Sequence, residues 1–326
     1  CLVATCLAAF TCLASPAHAQ SGYEPLEQRY QQFYARRDFA AAEQVARQWI
    51  VKAKREENPA ALAFGTSRLA TALYEQHRYA ETLSALETAI PLEREYLPGF
   101  LPGDLRFIGA TLDRLGRFDE AEGYFHESLA AYEQRFGAEA IELCPVLYEL
   151  AGTYVTLDLF DEAETIYQRY RKILDAQKPP NLRQESFWYD GMGKLRAYQL
   201  NYSEAERYYL REYELLVKQF GADHPDVGQL LGRLGDLAAK MENYPLAEQR
   251  LNKSVAVLGA MYGPNSLPVA DNQTFLAEAY NRQGRYAEAE QLARRVLRIR
   301  EQTLGADHVK VAHAKLSLAR IYHWQD

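Results

Sequence analysis

The chain has 326 residues, 25% of them charged and 48% hydrophobic, with a formal net charge of −7 at neutral pH. It has no basic excess and no basic run, so it lacks the electrostatic footprint of a nucleic-acid binder. Of its four cysteines, Cys1, Cys6 and Cys12 fall within the first twelve residues, and the single remaining Cys144 has no partner for an internal disulfide.

Residues 1–14 are apolar and uncharged, Pro16 follows, and Ala17-His18-Ala19 precedes Gln20. An apolar core followed by an A-x-A site is the pattern of a secretory signal peptide. Residues 1–19 are therefore expected to be a leader, truncated at its start because Met and a basic segment are missing, and cleaved at Ala19-Gln20. The mature protein is then exported, periplasmic or secreted. The alternative, a membrane anchor, needs about 20 apolar residues. A lipidated cysteine would have to be Cys6, after Ala-Thr, or Cys12, after Phe-Thr, and neither resembles a lipoprotein cleavage site.

From residue 20 to 326 one phrase recurs. Arg285-Tyr286-Ala287-Glu288-Ala289-Glu290 is preceded 42 residues earlier by Asn243-Tyr244-Pro245-Leu246-Ala247-Glu248, then by copies at Asn201, Leu159 and Arg117, and by weaker ones at Arg78 and Asp38. The aromatic anchors are Phe39, Tyr79, Phe118, Phe160, Tyr202, Tyr244 and Tyr286, spaced 40, 39, 42, 42, 42 and 42 residues apart. Nine residues before each anchor from the second onward stands a small residue (Ala70, Gly109, Ala151, Gly193, Gly235, Ala277). Three after the anchor stands Ala42, Ala121, Ala163, Ala205, Ala247 or Ala289, with Thr82 as the exception. Small residues at fixed places on successive helices let backbones approach, and their large neighbours fill the space between.

The spacing predicts helix pairs 24–36/39–54, 58–76/79–95, 103–115/118–136, 139–157/160–177, 182–199/202–219, 224–241/244–261 and 266–283/286–303, and a last helix over 307–324. The repeats are thus about 24–54, 58–95, 103–136, 139–177, 182–219, 224–261 and 266–303. Leu97–Gly103, with two prolines and two glycines, is expected to break the chain. Gly116 and Gly284 are placed to stop first helices, and Asp38, Asn201 and Asn243 to cap second ones. The stripe Phe160, Ala163, Ile166, Tyr167, Tyr170, Ile173 and Leu174 has helical period and is expected to be buried. In the last helix Val311, Leu318, Ile321 and Tyr322 should face the preceding repeat, with Lys310, His313, Ser317 and Arg320 outward.

These features resemble the tetratricopeptide repeat (TPR), a helix–turn–helix unit. The period and the junctions Gly221-Ala222-Asp223-His224-Pro225 and Gly305-Ala306-Asp307-His308 are similar to the longer subclass found in kinesin light chains. The resemblance implies an all-α, right-handed solenoid of about seven repeats with a C-terminal capping helix. It also implies that one face of each first helix lines a concave groove. The positions 15, 12, 8, 5 and 4 before the anchor then supply the groove: Arg106, Asp113 and Arg114; Tyr148; Phe187, Asp190, Lys194 and Tyr198; Gln229, Asp236 and Lys240; Asp271, Glu278, Asn281 and Arg282. The paired asparagines of the kinesin-type pattern are replaced by Tyr148-Glu149, Asp190-Gly191, Gly232-Arg233 and Thr274-Phe275, so a kinesin-type cargo is not implied.

No His-Glu-x-x-His or Cys-x-x-Cys occurs, and His308, His313 and His323 are not spaced to share one face, so no metal site is expected. Gly191-Met192-Gly193-Lys194 lacks the rest of a phosphate loop, and Gly65-Thr66-Ser67 has no preceding strand to make a nucleophile elbow. The carboxylates Glu43, Glu122, Glu164, Glu206, Glu248 and Glu290 recur with the repeat and read as a solvated face. The expected function is a non-catalytic scaffold, without cofactor, that binds a protein or peptide partner in its groove. The alternative is the sensor region of a larger protein, with an effector such as a caspase-like peptidase domain outside this sequence.

Overall fold

The computed structural model describes residues 22–306 and 308–325, so the expected leader and its cleavage site lie outside the described residues. The described chain consists of fifteen α-helices and one short 3-10 turn, with no strand among the described residues. It divides into two compact units at Gln184. The first holds α1 (Glu24–Ala35), α2 (Phe39–Arg55), α3 (Pro59–Glu75), α4 (Tyr79–Tyr96), α5 (Leu101–Arg114), α6 (Phe118–Phe136), the 3-10 turn Ile141–Leu143, α7 (Cys144–Thr156) and α8 (Phe160–Asp175). The second is built on α9 (Leu182–Tyr198), α10 (Tyr202–Phe220), α11 (Pro225–Lys240), α12 (Tyr244–Tyr262), α13 (Leu267–Arg282), α14 (Tyr286–Leu304) and α15 (Val309–Gln325). Every second helix opens on its anchor, as the sequence spacing requires.

The small residues do what their positions promise. Ala42, Ala121, Ala163, Ala205, Ala247 and Ala289 are fully buried. A Cβ on Gly193 would lie 2.4 Å from the Tyr209 ring, on Gly109 2.6 Å from the Phe125 ring and on Gly235 2.5 Å from Leu251. Each of these large side chains stands seven residues after an anchor and lies directly on the glycine of its own pair. Ala163, Tyr167, Tyr170, Ile173 and Leu174 form the buried stripe of α8, while Phe160 and Ile166 are half-buried. Cys144 is fully buried at the start of α7, and burial pushes its thiol well above the usual range.

The turn between first and second helix is identical in all seven pairs: the residue two before the anchor has left-handed backbone. It is Gly116 and Gly284, at φ of 75° and 73°, but Arg37, His77, Asp158, Leu200 and Glu242 elsewhere, at φ of 59–61°. Side-chain oxygens of Asp38, Asn201 and Asn243 accept from backbone N–H groups three residues on, at 3.0, 3.4 and 3.4 Å, and Asn58 caps α3 in the same way.

Several expectations need correction. Helix α5 begins at Leu101, and Pro102 and Gly103 lie within it. Proline is tolerated in a first turn, where its missing N–H has no intrahelical acceptor. Pro91 lies inside α4. The segment expected to start a helix at 139 instead makes the 3-10 turn before α7, whose first turn contains Pro145. In α15, Val311 and Ile321 are buried as expected, but Lys310 reaches Asp271 at 2.9 Å instead of facing outward.

The recurrent glutamates are not a solvated face. Each of Glu43, Glu122, Glu248 and Glu290 accepts hydrogen bonds from the first helix of the next pair or the turn after it. Gln76 and Arg78 donate to Glu43 at 2.9 and 2.7 Å, Tyr154 to Glu122 at 2.8 Å, Tyr280 and Arg285 to Glu248 at 2.9 Å each, and Tyr322 to Glu290 at 3.0 Å. Glu206 instead takes Arg250 of the following second helix at 2.8 Å. These bonds join successive repeats at the same register that the alanines and glycines fix.

Candidate functional site

The first helices of the second unit each carry an acid and a base one turn apart. Asp190 and Lys194 pair at 2.6 Å on α9, Asp236 and Lys240 at 2.9 Å on α11, and Glu278 and Arg282 at 3.2 Å on α13. Residues four apart are neighbours on a helix surface, so each pair forms within its own element. Lys240, Glu278 and Arg282 are exposed, Lys194 and Asp236 are half-buried, and Tyr198 presents 55% of its surface to solvent at the end of α9. Asp236 also feels Glu278 and Arg282 of α13. Its carboxyl is held above the usual range by burial, against the lowering effect of Lys240.

Below this surface lies a charged floor. Asp190 and Glu212 are both fully buried, and Arg233 joins them, its Nη2 lying 2.9 Å from Asp190 and 3.1 Å from Glu212. Arg233 also stands 5.5 Å from the centre of the Tyr209 ring, the ring that covers Gly193. Burial raises the Glu212 carboxyl above its ordinary range, with Arg233 opposing the shift. Removing one member of such a set would leave an uncompensated buried charge, and Lys194 reaches the set through Asp190 at 2.6 Å. At the far end, Asp271 is held by Arg300 at 2.8 Å and Lys310 at 2.9 Å, which leaves it committed to packing α15. Asn281 is half-buried, and so is Gln229.

Among the first unit's candidates Arg114 is exposed, Asp113 is half-buried, and each is engaged by a neighbouring side chain. Arg106 is 1% exposed and lies 3.6 Å from Glu149. Asp113 accepts from Thr153 at 3.0 Å, and Arg114 donates to the Tyr74 hydroxyl at 3.3 Å. Tyr148 is half-buried. Arg106, Asp190 and Phe187 are buried and present no surface to a ligand in this arrangement. Glu212 and Arg233 were missed as site residues. A signal for each existed: Glu212 stands ten residues after its anchor, where the flanking copies have Tyr170 and Ser254, and Arg233 occupies one of the two places usually held by asparagine.

Among the described residues no three His, Cys, Asp or Glu side chains are grouped to hold a metal ion, and no helix is long and apolar enough to cross a membrane.

Tetratricopeptide-repeat family models match residues 104–176, 185–260 and 273–309, more than half of the chain, and the protein belongs to that family. No curated protein sequence matches it. Solved structures share the fold at low identity. A tetratricopeptide repeat protein from Parabacteroides merdae superposes with a TM-score of 0.61 at 18% identity, covering 93% of this chain and 99% of that one. NprR in complex with its cognate peptide NprX gives 0.61 at 14% identity over 91% of this chain and 84% of that one. A signal transduction ATPase with a tetratricopeptide repeat sensor, from Pyrococcus horikoshii, gives 0.61 at 16% identity over 95% of this chain but only 44% of the ATPase.

Proposed function

We propose that this protein is an exported, non-catalytic scaffold that holds an extended peptide or a partner's helix along the first helices of its second unit. The observation that carries the reading is the ladder of Lys194 on α9, the pair Asp236–Lys240 on α11 and the pair Glu278–Arg282 on α13, next to the exposed Tyr198. Both signs of charge recur along the ladder, so the fitting ligand is a segment of mixed or zero net charge, not a polyanion. An exposed tyrosine offers large contact area at low entropic cost, and tyrosine is enriched among binding hot spots. The charges would set register more than affinity. NprR, whose fold is shared, binds a peptide, which supports the class of ligand. Export rests on the apolar leader and its A-x-A site alone.

A second reading, a sensor region of a larger protein, is favoured by the ATPase that carries a tetratricopeptide repeat sensor as part of a longer chain. The reading frame on either side of this sequence separates the two.

The binding test is a selection of peptides from a displayed random library on the purified protein. Selected peptides should lose binding at least tenfold to Tyr198→Ala combined with Lys240→Ala, and keep it against Arg211→Ala combined with Glu214→Ala on the exposed side of α10. Equal binding to both variants would remove the site from these helices.

A further inference from the structure

We propose that Glu93, Ser67 and Asp104 form a buried proton-binding site that locks α3, α4 and α5 together and releases as pH rises. The Ser67 hydroxyl meets both carboxyls: its oxygen is 2.8 Å from Glu93 Oε1 and in hydrogen-bond contact with Asp104 Oδ2, and it also lies 3.3 Å from the Ala63 carbonyl. A serine hydroxyl has one hydrogen and can donate it to one acceptor. If both carboxyls were ionised, at least one of these oxygen–oxygen contacts would hold no hydrogen and would be repulsive. A second proton, carried by one of the carboxyls, satisfies the geometry.

The surrounding charge points the same way. Glu93 is 1% exposed, and its carboxyl also meets that of Asp104, a hydrogen bond that two carboxyls can make only with a proton between them. The cations facing the set are Arg68 of α3 and Arg106 of α5. Each has its own carboxylate: Arg68 pairs with Glu27 of α1 at 2.6 Å, and Arg106 lies 3.6 Å from Glu149 of α7. Tyr132 of α6 also faces Asp104. Arg114 of α5 also faces Glu149, so four carboxyls lie among three guanidinium groups, and at least one negative charge on Glu93 and Asp104 would stand uncompensated in a buried place. Such a group gives up its charge instead. Arg68 and Arg106 disfavour a metal cation as the occupant. Consistent with this, burial holds both carboxyls above their ordinary range.

The position gives the proton a consequence. Glu93 lies near the end of α4 and Asp104 in the first turn of α5, on either side of the Leu97–Phe100 turn, where the anchor spacing shortens to 39. Carboxyls that stay protonated in the fold but ionise in the unfolded chain contribute stability that is fully present below about pH 4.5. That contribution is lost as pH rises toward the folded-state value. Across neutral pH the folding constant should fall by up to about tenfold per pH unit for one proton held.

The experiment is urea unfolding of the full chain at half-unit steps from pH 5.5 to 9, comparing the native protein with Glu93→Gln and Asp104→Asn, whose amides supply the missing hydrogen without titrating. The native protein should lose stability as pH rises, and either variant should flatten that slope by close to one proton. Equal slopes in all three would overturn the proposal. Infrared spectroscopy of the native protein at pH 7.5 serves if a variant fails to fold. A protonated-carboxyl band that vanishes on unfolding at the same pH is expected, and its absence would also overturn the proposal. Stabilisation of the native protein by sodium, magnesium or calcium chloride beyond a matched choline control would assign the site to a cation and refute the proton.

Discussion

Glu248 on one second helix accepts a 2.9 Å hydrogen bond from the hydroxyl of Tyr280 on the first helix of the next pair. Arg285, in the turn after that helix, donates to the other oxygen at 2.9 Å and lies 3.9 Å from the centre of the Tyr280 ring. The same carboxylate–tyrosine bond joins Glu122 to Tyr154 and Glu290 to Tyr322. A solenoid's stability is the sum of its repeats and of the interfaces between neighbours, and this bond belongs to the interface.

Glu248→Ala should therefore destabilise the second unit by about 0.5–1.5 kcal/mol, below the range of about 1.5–3 kcal/mol for charged hydrogen bonds because the site is partly exposed. Glu288→Ala, whose exposed carboxylate is bonded by Arg285 of its own turn, should leave the unfolding midpoint unchanged. Urea unfolding monitored by circular dichroism measures both. Arg285 and the tyrosine hydroxyl hold the Glu248 carboxyl below its ordinary range. The native protein's extra stability over Glu248→Ala should thus be full above about pH 4.5 and shrink as pH falls below it.

Two glycine substitutions should have opposite signs. Gly193→Ala drives a methyl to within 2.4 Å of the Tyr209 ring, and overpacking of this kind costs about 1–3 kcal/mol. Gly123→Ala on exposed α6 meets nothing within 4 Å and should stabilise by about 0.5–1 kcal/mol, as alanine does over glycine in a helix interior. Thermal melts of the two variants beside the native protein decide this, and a loss at both positions would mean that Gly123 has a role not visible in its surroundings.

His308 uses its Nδ1 as the acceptor for the backbone N–H of Lys310, at 3.1 Å, and so caps α15. Burial, together with Lys310 and Arg300, lowers its pKa from the ordinary value. Protonation converts the acceptor nitrogen into a donor. The cap is fully formed above about pH 6.5 and is lost as pH falls below that value. Hydrogen exchange of the α15 amides should accelerate between pH 6.5 and 5 relative to the α11 amides, after correction for intrinsic rates. His308→Asn, a neutral cap, should abolish the difference. No relative acceleration in the native protein would show that the cap does not hold the helix.

Much of the fold was legible because the repeat is written in residue size. Gly193 must be small where Tyr209 lies on it, and Ala205 must be small where it is buried completely, so the period of 42 residues reports the packing directly. The left-handed turn was legible only at Gly116 and Gly284. At Leu200, 71% exposed, and at Arg37 the same conformation is imposed by the helices on either side, against local preference. The site was legible in part: the one-turn spacing of Asp236 and Lys240, and of Glu278 and Arg282, already places each pair on one face.

What the sequence alone determined is therefore the helix pairs, their anchors and the family, since steric fit at a fixed period needs no knowledge of the partner. Only the tertiary structure decided which charges remain available. Asp190 faces away from the core stripe of its own helix, yet Glu212 of α10 and Arg233 of α11 close over it. Arg106 is covered in the same way, beside Glu149. Burial of a charge depends on side chains more than twenty residues away in the chain, and helical periodicity reports only a residue's own helix.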